Sequence, residues 1–389
     1  MSLPSPAMLQ AVKKTAASMA NRSTRFIFNE WYVAAFGNEI KREFLQRTLL
    51  DKRIVMFRTE AGVPVALADR CAHRAFPLSR GTLDGDTVVC AYHGFRYDAE
   101  GNCVEVPSAA KCPKGIGVAQ YRLIEKGPLV WIWMGDPALA DESKLPEQAW
   151  LTQPDWETSS GYFDLQSNYV SMHENLLDLT HLSFLHANTI GTPDYAKAPF
   201  KTEIDDGYFA LNRDVVPTTL PPVWGRPTGL EGCNTAARIV RSEFKSPAFH
   251  QVNVSFYDSK LVESERQVSR IKTAHLLTPQ THSSSHYFIV HGRDFGQDDE
   301  SITHFMHDNL FAAFNEDVEG LAALEEVWLN TAADDMFEFS VAADGPSVAM
   351  RRYLKKRADE EQATQENPGY AGTDATMPVI IPIRTGQPA

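Results

Sequence analysis

Two short pairs of metal-binding side chains constrain this chain more than any other feature. Cys71-Ala72-His73 is followed after 16 residues by Cys90-Ala91-Tyr92-His93, giving the pattern C-x-H-x16-C-x2-H. Two tight Cys/His pairs, each beside turn residues, can place four ligands around one inorganic centre. Three readings compete: a structural zinc site, a two-iron, two-sulfide cluster with two Cys on one iron and two His on the other, and unbound side chains in a β core. Zinc sites of the Cys2His2 kind usually pair Cys with Cys and His with His along the chain. Here each arm supplies one Cys and one His, so each arm can reach both irons. The spacing favours the two-iron cluster. Neutral imidazoles leave such a cluster less negative and raise its potential to roughly −150 to +300 mV. Cys103 and Cys112 lie outside the pattern and read as buried structural thiols.

A cluster alone does not need a chain of 389 residues, and at roughly 150 residues per domain two or three domains are expected. Residues 8–20 read as a short amphipathic helix. From Phe26 to Asp136 the signals are mostly β. Runs at 53–58 and 63–70 flank the turn-like Glu60-Ala61-Gly62, a hairpin signature. A strand signal covers 87–98, ahead of the turn Ala99-Glu100-Gly101-Asn102, and another covers 127–136. The Pro-containing stretch 136–156 is the candidate boundary. Beyond it lie a helical block at 171–186, strand signals at 208–216, 235–245, 250–258, 271–277 and 284–293, and a long helical pattern from about His304 to Trp328. Residues 215–233 hold four Pro and three Gly and read as a long irregular segment. From Ala358 the chain reads as a polar arm with one apolar island at 377–383, disordered or draped on a neighbouring surface.

The helical block carries the second constellation. Asn175, Asp178 and His181 are three apart and share a face if the helix is continuous. His186 follows five residues later, about 140° off that face in an ideal helix. The two imidazoles can therefore converge only if the helix ends or distorts between them. Two His and one carboxylate with open positions suit a non-haem ferrous ion. The alternative is a helix with two satisfied core histidines. For the carboxylate, the run 311–326 offers Glu316, Asp317, Glu319, Glu325 and Glu326.

Together, CAHRAFPLSRG, VVCAYHGFRYDAEGNCVEVPS and N-x2-D-x2-H-x4-H resemble the α subunits of Rieske non-haem iron oxygenases, in the vanillate O-demethylase and dicamba monooxygenase branch. After the second-arm Gly that family usually has Trp; here it is Phe95, which keeps an aromatic against the cluster. The resemblance implies an α+β chain: residues 1–25 a helical extension, 26–150 an all-β Rieske [2Fe–2S] domain, 151–357 a helix-grip (START-like) catalytic domain with an antiparallel sheet, and 358–389 a C-terminal arm. It implies that Cys71, His73, Cys90 and His93 hold the cluster and that His181, His186 and Asp317 hold the mononuclear iron, with Glu316 in reserve. Asp178 then links a mononuclear-iron His to a cluster His of a neighbouring subunit, implied to be His93, and Asn175 belongs to the same catalytic motif. The segment RIKTAHLLTPQTHSSSHYFI (270–289) resembles the strand–turn–strand of that branch, and implies that His275 points toward substrate.

The implied function is the terminal oxygenase of a multicomponent system. It takes O2 and electrons from a ferredoxin or flavin reductase, and hydroxylates or O-/N-dealkylates a small aromatic molecule, an aromatic acid or aryl ether being favoured. A homotrimer is implied, because the family brings cluster and iron close only across a subunit boundary. A ring-dihydroxylating or angular dioxygenase is the nearer alternative, and an electron carrier with a degenerate second site the remoter one. With 37 Lys plus Arg against 50 Asp plus Glu, the net charge of −13 argues against nucleic acid and anionic membranes as partners. Five cysteines, no signal-peptide pattern and no apolar run near 20 residues point to a reduced, soluble, cytoplasmic protein.

Overall fold

The hairpin expected around Glu60-Ala61-Gly62 forms between Lys52–Arg58 and Pro64–Ala68, with Gly62 at φ 82° closing the turn. The computed structural model describes residues 5–112, 114–332 and 335–365. The N-terminal region builds three small antiparallel sheets. One sets the fully buried strand Leu129–Trp133 between Trp31–Phe36 and Leu123–Lys126. The second carries the hairpin, flanked by Leu45–Leu49 and Gln120–Tyr121. The third runs Thr82–Asp84, Thr87–Val89, Arg96–Tyr97, Cys103–Glu105. The strand signal at 87–98 is therefore two strands, with the Cys90–His93 loop at the tip between them. A short helix, α1 (Pro6–Ala17), precedes this region. The stretch 136–156 is a series of single 3-10 turns.

The rest of the chain is organised by one seven-stranded antiparallel sheet. Its order is Glu157–Leu165, Ser284–Arg293, Ser269–Thr281, Phe249–Asp258, Ala236–Ser246, Tyr208–Thr218, Phe200–Asp205. The first and last of these carried no readable signal. Successive side chains on a strand point to opposite faces, and here each face has its own partner. Ala274, Leu276, Phe288 and Val290 join Trp31, Trp131 and Trp133 in a core shared with the N-terminal region. The alternate residues Ile271, Leu277, Tyr287 and Ile289 join the core beneath the helices. Those helices are α2 (Tyr169–Leu177), α3 (Pro222–Thr228), α4 (Glu300–Asn330) and α5 (Gly345–Gln365). This is the α+β arrangement the resemblance implied.

Two expectations need correction. The segment 215–233 is not irregular throughout: a strand runs to Thr218, and α3 fills 222–228 before Gly229 ends it at φ 70°. Nor does a loose arm begin at Ala358. Residues 358–365 are the last turns of α5, Ala358 is buried, and the Glu361 carboxylate accepts the backbone N–H groups of Phe28 and Asn29. The rest of the expected arm, with its apolar island at 377–383, lies outside the described residues.

Candidate metal centres

The two Cys/His loops have the same backbone construction. In the first, Cys71 N–H donates to Phe76 O and Ala75 N–H donates back to Cys71 O. In the second, Cys90 N–H donates to Phe95 O and Gly94 N–H donates back to Cys90 O. Each closes through a left-handed residue, Ala75 at φ 55° and Gly94 at φ 72°. An alanine in that region is uncommon and strained, so the first loop holds its shape against a local preference. The construction buries Cys71 and Cys90 and leaves His73 and His93 exposed at the tip, their ring centroids 4.5 Å apart. His73 stacks on Phe95 at 4.7 Å and 7°. Tyr97 places its hydroxyl 3.1 Å from Cys71 Sγ and accepts the Ala72 N–H. Burial pushes the Cys71 thiol up, and Tyr97 counters it. Cys103 and Cys112 face each other at 3.3 Å, apart from this set.

A tetrahedral zinc would draw all four donor atoms within about 4 Å of one another. Among the described residues, only one group brings three donors within 4.8 Å, and it is not this one. Donors spread over two irons are the better fit.

The compact group is His181, His186 and Asp317. The helical block predicted at 171–186 does not run through. α2 stops at Leu177, Asp178 takes an extended conformation (φ −128°, ψ 94°), and a 3-10 turn covers Leu179–Ser183. Asn175, Asp178 and His181 thus do not share one helix face. The break turns His181 and His186 toward the same point, with ring centroids 5.1 Å apart. Gly191 makes the return possible: its N–H donates to His186 O at 2.9 Å, and a Cβ there would lie 1.7 Å from Leu182 O.

Asp317 comes from the buried side of α4. Its Oδ1 lies 3.0 Å from His186 Nε2 and 3.5 Å from His181 Nε2, and accepts a hydrogen bond from Asn175 Nδ2 at 2.9 Å. Burial alone would raise this carboxyl, but the two imidazoles outweigh burial and hold it well below the usual carboxylate range. Both Nδ1 atoms are already engaged, His181 with Asp178 O at 2.7 Å and His186 with Glu316 Oε2 at 2.7 Å. A carbonyl or carboxylate oxygen can only accept, so each Nδ1 carries a proton, and each Nε2 is the nitrogen left facing Asp317, where a bound metal would take its lone pair. That is the tautomer a metal-binding imidazole needs, oriented by outer partners of the usual kind. Two imidazoles and a carboxylate fit a ferrous ion.

Glu316, held in reserve as a ligand, sits on the far side of His186 and also accepts from the Thr189 hydroxyl at 2.7 Å. The Asp178 carboxylate is half-buried and accepts the Thr180 N–H; it is the backbone carbonyl of Asp178 that orients His181.

A cavity opens beside this group, walled by Leu310 and Phe314 of α4 and by alternate residues of the sheet, including Val240, Val252, Val254 and Thr273. His275 lines it. Its Nδ1 pairs with the Tyr287 hydroxyl at 2.5 Å, Phe314 packs edge-on at 5.5 Å, and burial lowers its pKa to about 4, so the ring is neutral at pH 7. Trp224 of α3 lines the cavity too, which brings the 215–233 segment to the site. Arg238, which the sequence reading did not single out, completes the wall.

Comparison with known proteins agrees with both halves of this picture. Residues 30–122 match the Rieske [2Fe–2S] domain, and residues 165–360 match the vanillate O-demethylase oxygenase C-terminal domain. A putative toluene-4-sulfonate monooxygenase system iron-sulfur subunit of Comamonas testosteroni is 34% identical over 306 residues, 77% of this chain and 88% of that protein. The dicamba O-demethylase oxygenase component of Stenotrophomonas maltophilia is 30% identical over 341 residues, 87% of this chain and 99% of that one. The crystal structure of dicamba monooxygenase bound to 3,6-dichlorosalicylic acid superposes with a TM-score of 0.81 at 29% identity, covering 88% of this chain and 100% of that one.

Proposed function

This chain belongs to the Rieske non-haem iron oxygenases of the vanillate O-demethylase type, and from that premise we propose that Cys71, His73, Cys90 and His93 hold its [2Fe–2S] cluster while His181, His186 and Asp317 hold its mononuclear iron. The protein is the terminal oxygenase of a multicomponent system acting on aromatic substrates. One observation carries the ligand assignment: two Nε2 atoms and one Asp317 oxygen converge while outer acceptors fix both imidazoles by Nδ1. Bound in these two places, the irons supply one-electron transfer and O2 activation for insertion into a substrate C–H bond.

The chain's own residues set where this happens. Exposed His73 and His93 put the cluster edge at the surface of the single chain, within reach of a neighbouring subunit. The cavity wall of Leu310, Phe314, Val252 and Val254 excludes water from the ring of a bound substrate. His275 is placed to hydrogen-bond a polar substituent. Dealkylation of an O-methyl or N-alkyl group is the favoured outcome, in keeping with the demethylases and the chloroacetanilide N-alkylformylase among its relatives. The division between cluster and catalytic domains falls in the 3-10 turns of 136–156.

We propose a head-to-tail homotrimer in which Asp178 bridges His181 to the partner's His93. Phe184, between the two iron-binding histidines, is 74% exposed, and Tyr92, beside His93, is 57% exposed. Apolar surface around both sites suits a heterologous contact that closes into a ring. Among the described residues no helix is long and apolar enough to cross a membrane, and all five cysteines are free. We place the protein in the cytoplasm on that thiol usage.

Metal analysis with electron paramagnetic resonance tests the assignment. About three irons per chain are expected; zinc alone, or about two irons with normal turnover, would refute it. Labelled O2 separates monooxygenation from dihydroxylation by the oxygen atoms incorporated.

A further inference from the structure

Resting on the oxygenase reading above, we propose that Arg238 is an anion receptor in the substrate cavity, so that the enzyme selects aromatic molecules carrying a carboxylate or sulfonate.

Arg238 lies in Ala236–Ser246, on the same face as Val240, and that face looks into the cavity that His181, His186 and Asp317 border. The rest of the wall is mostly apolar, with His181, His186, Thr273, His275 and Asp317 as its other polar members. Arg238 is 3% exposed, yet its guanidinium makes a single hydrogen bond, from Nη1 to Ile190 O at 2.8 Å. The Tyr195 ring lies beneath it at 4.8 Å. Nε is buried without a partner; Tyr195 and Asp194 act on the charge from a distance, but among the described residues no carboxylate pairs with the guanidinium within 4.0 Å. A guanidinium has five donors and no acceptor. An isolated cation in an apolar wall is strongly disfavoured unless something pairs with it.

A neighbouring arginine shows what a purely structural role looks like in this fold. Arg213, on the adjacent strand and 1% exposed, stacks on the other side of Tyr195 at 5.3 Å. It donates to Tyr195 O and Thr180 Oγ1, tying two loops together, and does not line the cavity. Arg213 shares the unpartnered buried Nε; what sets Arg238 apart is that it lines the cavity and that, among the described residues, its hydrogen bond is the one to Ile190 O.

The cavity holds a second unpaired donor, the buried Nε1 of Trp224. Its one carboxylate, Asp317, is already shared among His181, His186 and Asn175. Two buried donors without partners, beside a carboxylate that is already engaged, suit an acceptor-rich, negatively charged ligand. A carboxylate or a sulfonate meets that description, since each offers a guanidinium two or more oxygens at once. With the anion on Arg238, the opposite end of the ring is directed toward the iron-binding side chains.

The test is equilibrium binding to the anaerobic holoenzyme, read by tryptophan fluorescence, with benzoate, benzenesulfonate and their neutral isosteres benzamide and benzenesulfonamide. At least one anion should bind roughly 10- to 100-fold more tightly than its amide. Arg238→Gln should bring that pair within about twofold, and Arg238→Lys should keep part of the preference. Benzoate leading assigns a planar carboxylate, benzenesulfonate leading a tetrahedral sulfonate, and either supports the receptor. Wild-type protein that binds anions and amides alike overturns it, as does a preference that survives Arg238→Gln. Should that variant misfold, judged by circular dichroism and cluster absorption, the wild-type ratios and Arg238→Lys decide. Iron content and substrate-stimulated O2 uptake read the underlying function separately. Arg238-dependent anion binding without O2 uptake would remove the oxygenase reading and leave the receptor. O2 uptake without anion preference would do the reverse.

Discussion

Glu316 and Asp317 are consecutive in α4, yet they hold one imidazole by its two nitrogens: Glu316 Oε2 lies 2.7 Å from His186 Nδ1 and Asp317 Oδ1 lies 3.0 Å from His186 Nε2. The pair divides the work, with Asp317 facing the centre and Glu316 fixing the ring from behind. Glu316→Gln should therefore keep the fold and the cluster but weaken retention of the mononuclear iron, on the order of 10- to 100-fold for loss of an outer-shell carboxylate. Titration with a graded chelator measures this. Asp317→Ala should abolish retention altogether while the cluster's visible absorption stays. Equal iron retention in Glu316→Gln and wild type would show that the ring does not depend on this partner.

Asp178 separates two roles within one residue. Its backbone carbonyl holds His181 Nδ1, and its carboxylate caps Thr180 N–H. Asp178→Asn preserves the carbonyl, so mononuclear iron should be retained. Electron delivery should nonetheless slow, by at least roughly tenfold if the carboxylate contributes more than about 1.4 kcal/mol to the coupled step. Rapid-mixing measurement of cluster reoxidation in the presence of substrate gives the rate. Wild-type reoxidation in this variant would remove the carboxylate from the electron path.

The return loop after His186 depends on a missing side chain. A Cβ on Gly191 would stand 1.7 Å from Leu182 O and 2.9 Å from His186 O. Both contacts are backbone, so no rotamer change relieves them. Gly191→Ala should displace His186, with the loss of about 1–3 kcal/mol that overpacking brings, and release the mononuclear iron while leaving the cluster spectrum intact. A variant that holds full iron with an unchanged melting temperature would mean the loop has slack that its contacts do not show.

Much of this was legible in the sequence, for identifiable reasons. The two Cys/His loops are local, so their pairs and turns could be read directly. The sheet strands 236–246 and 284–293 alternate or run apolar long enough to register, whereas Phe200–Asp205 is exposed on every residue and gave no pattern. The break after α2 was foreseen as a geometric need but placed too late. Its signal is Asp178-Leu179-Thr180, since an aspartate two residues before a free N–H is a capping residue, and such residues start turns as readily as they sit on helices. Arg238 was missed although strand parity could have found it. Val240, Ser242 and Phe244 share its face and are small or apolar, so a charge there points inward. Glu316 could not be assigned from sequence, because which neighbour faces the centre depends on the rotation of α4 against a segment more than a hundred residues away.

Buried histidines make the fold sensitive to mild acid. Burial lowers His173, His275 and His286 to about 4 and His291 to about 3, and places His250 well below its ordinary value. In the unfolded chain each titrates near 6.5. Between that value and the folded pKa the unfolded state binds more protons, so the stability difference falls as pH drops. The contribution is fully present above about pH 6.5 and declines toward pH 4. Carboxylates paired in the fold add their own loss only nearer their unfolded pKa of about 4; buried Glu174, raised to about 7, opposes the histidines between pH 6.5 and 5 because the folded state keeps its proton there, and the five rings outnumber it. Thermal unfolding followed by circular dichroism should show the midpoint dropping across that interval. Replacing His291, whose Nε2 is buried without a partner, by Gln should shrink the drop. A midpoint that stays constant from pH 6.5 to 5 in Glu174→Gln as well as in wild type would mean these rings carry protons inside the folded protein.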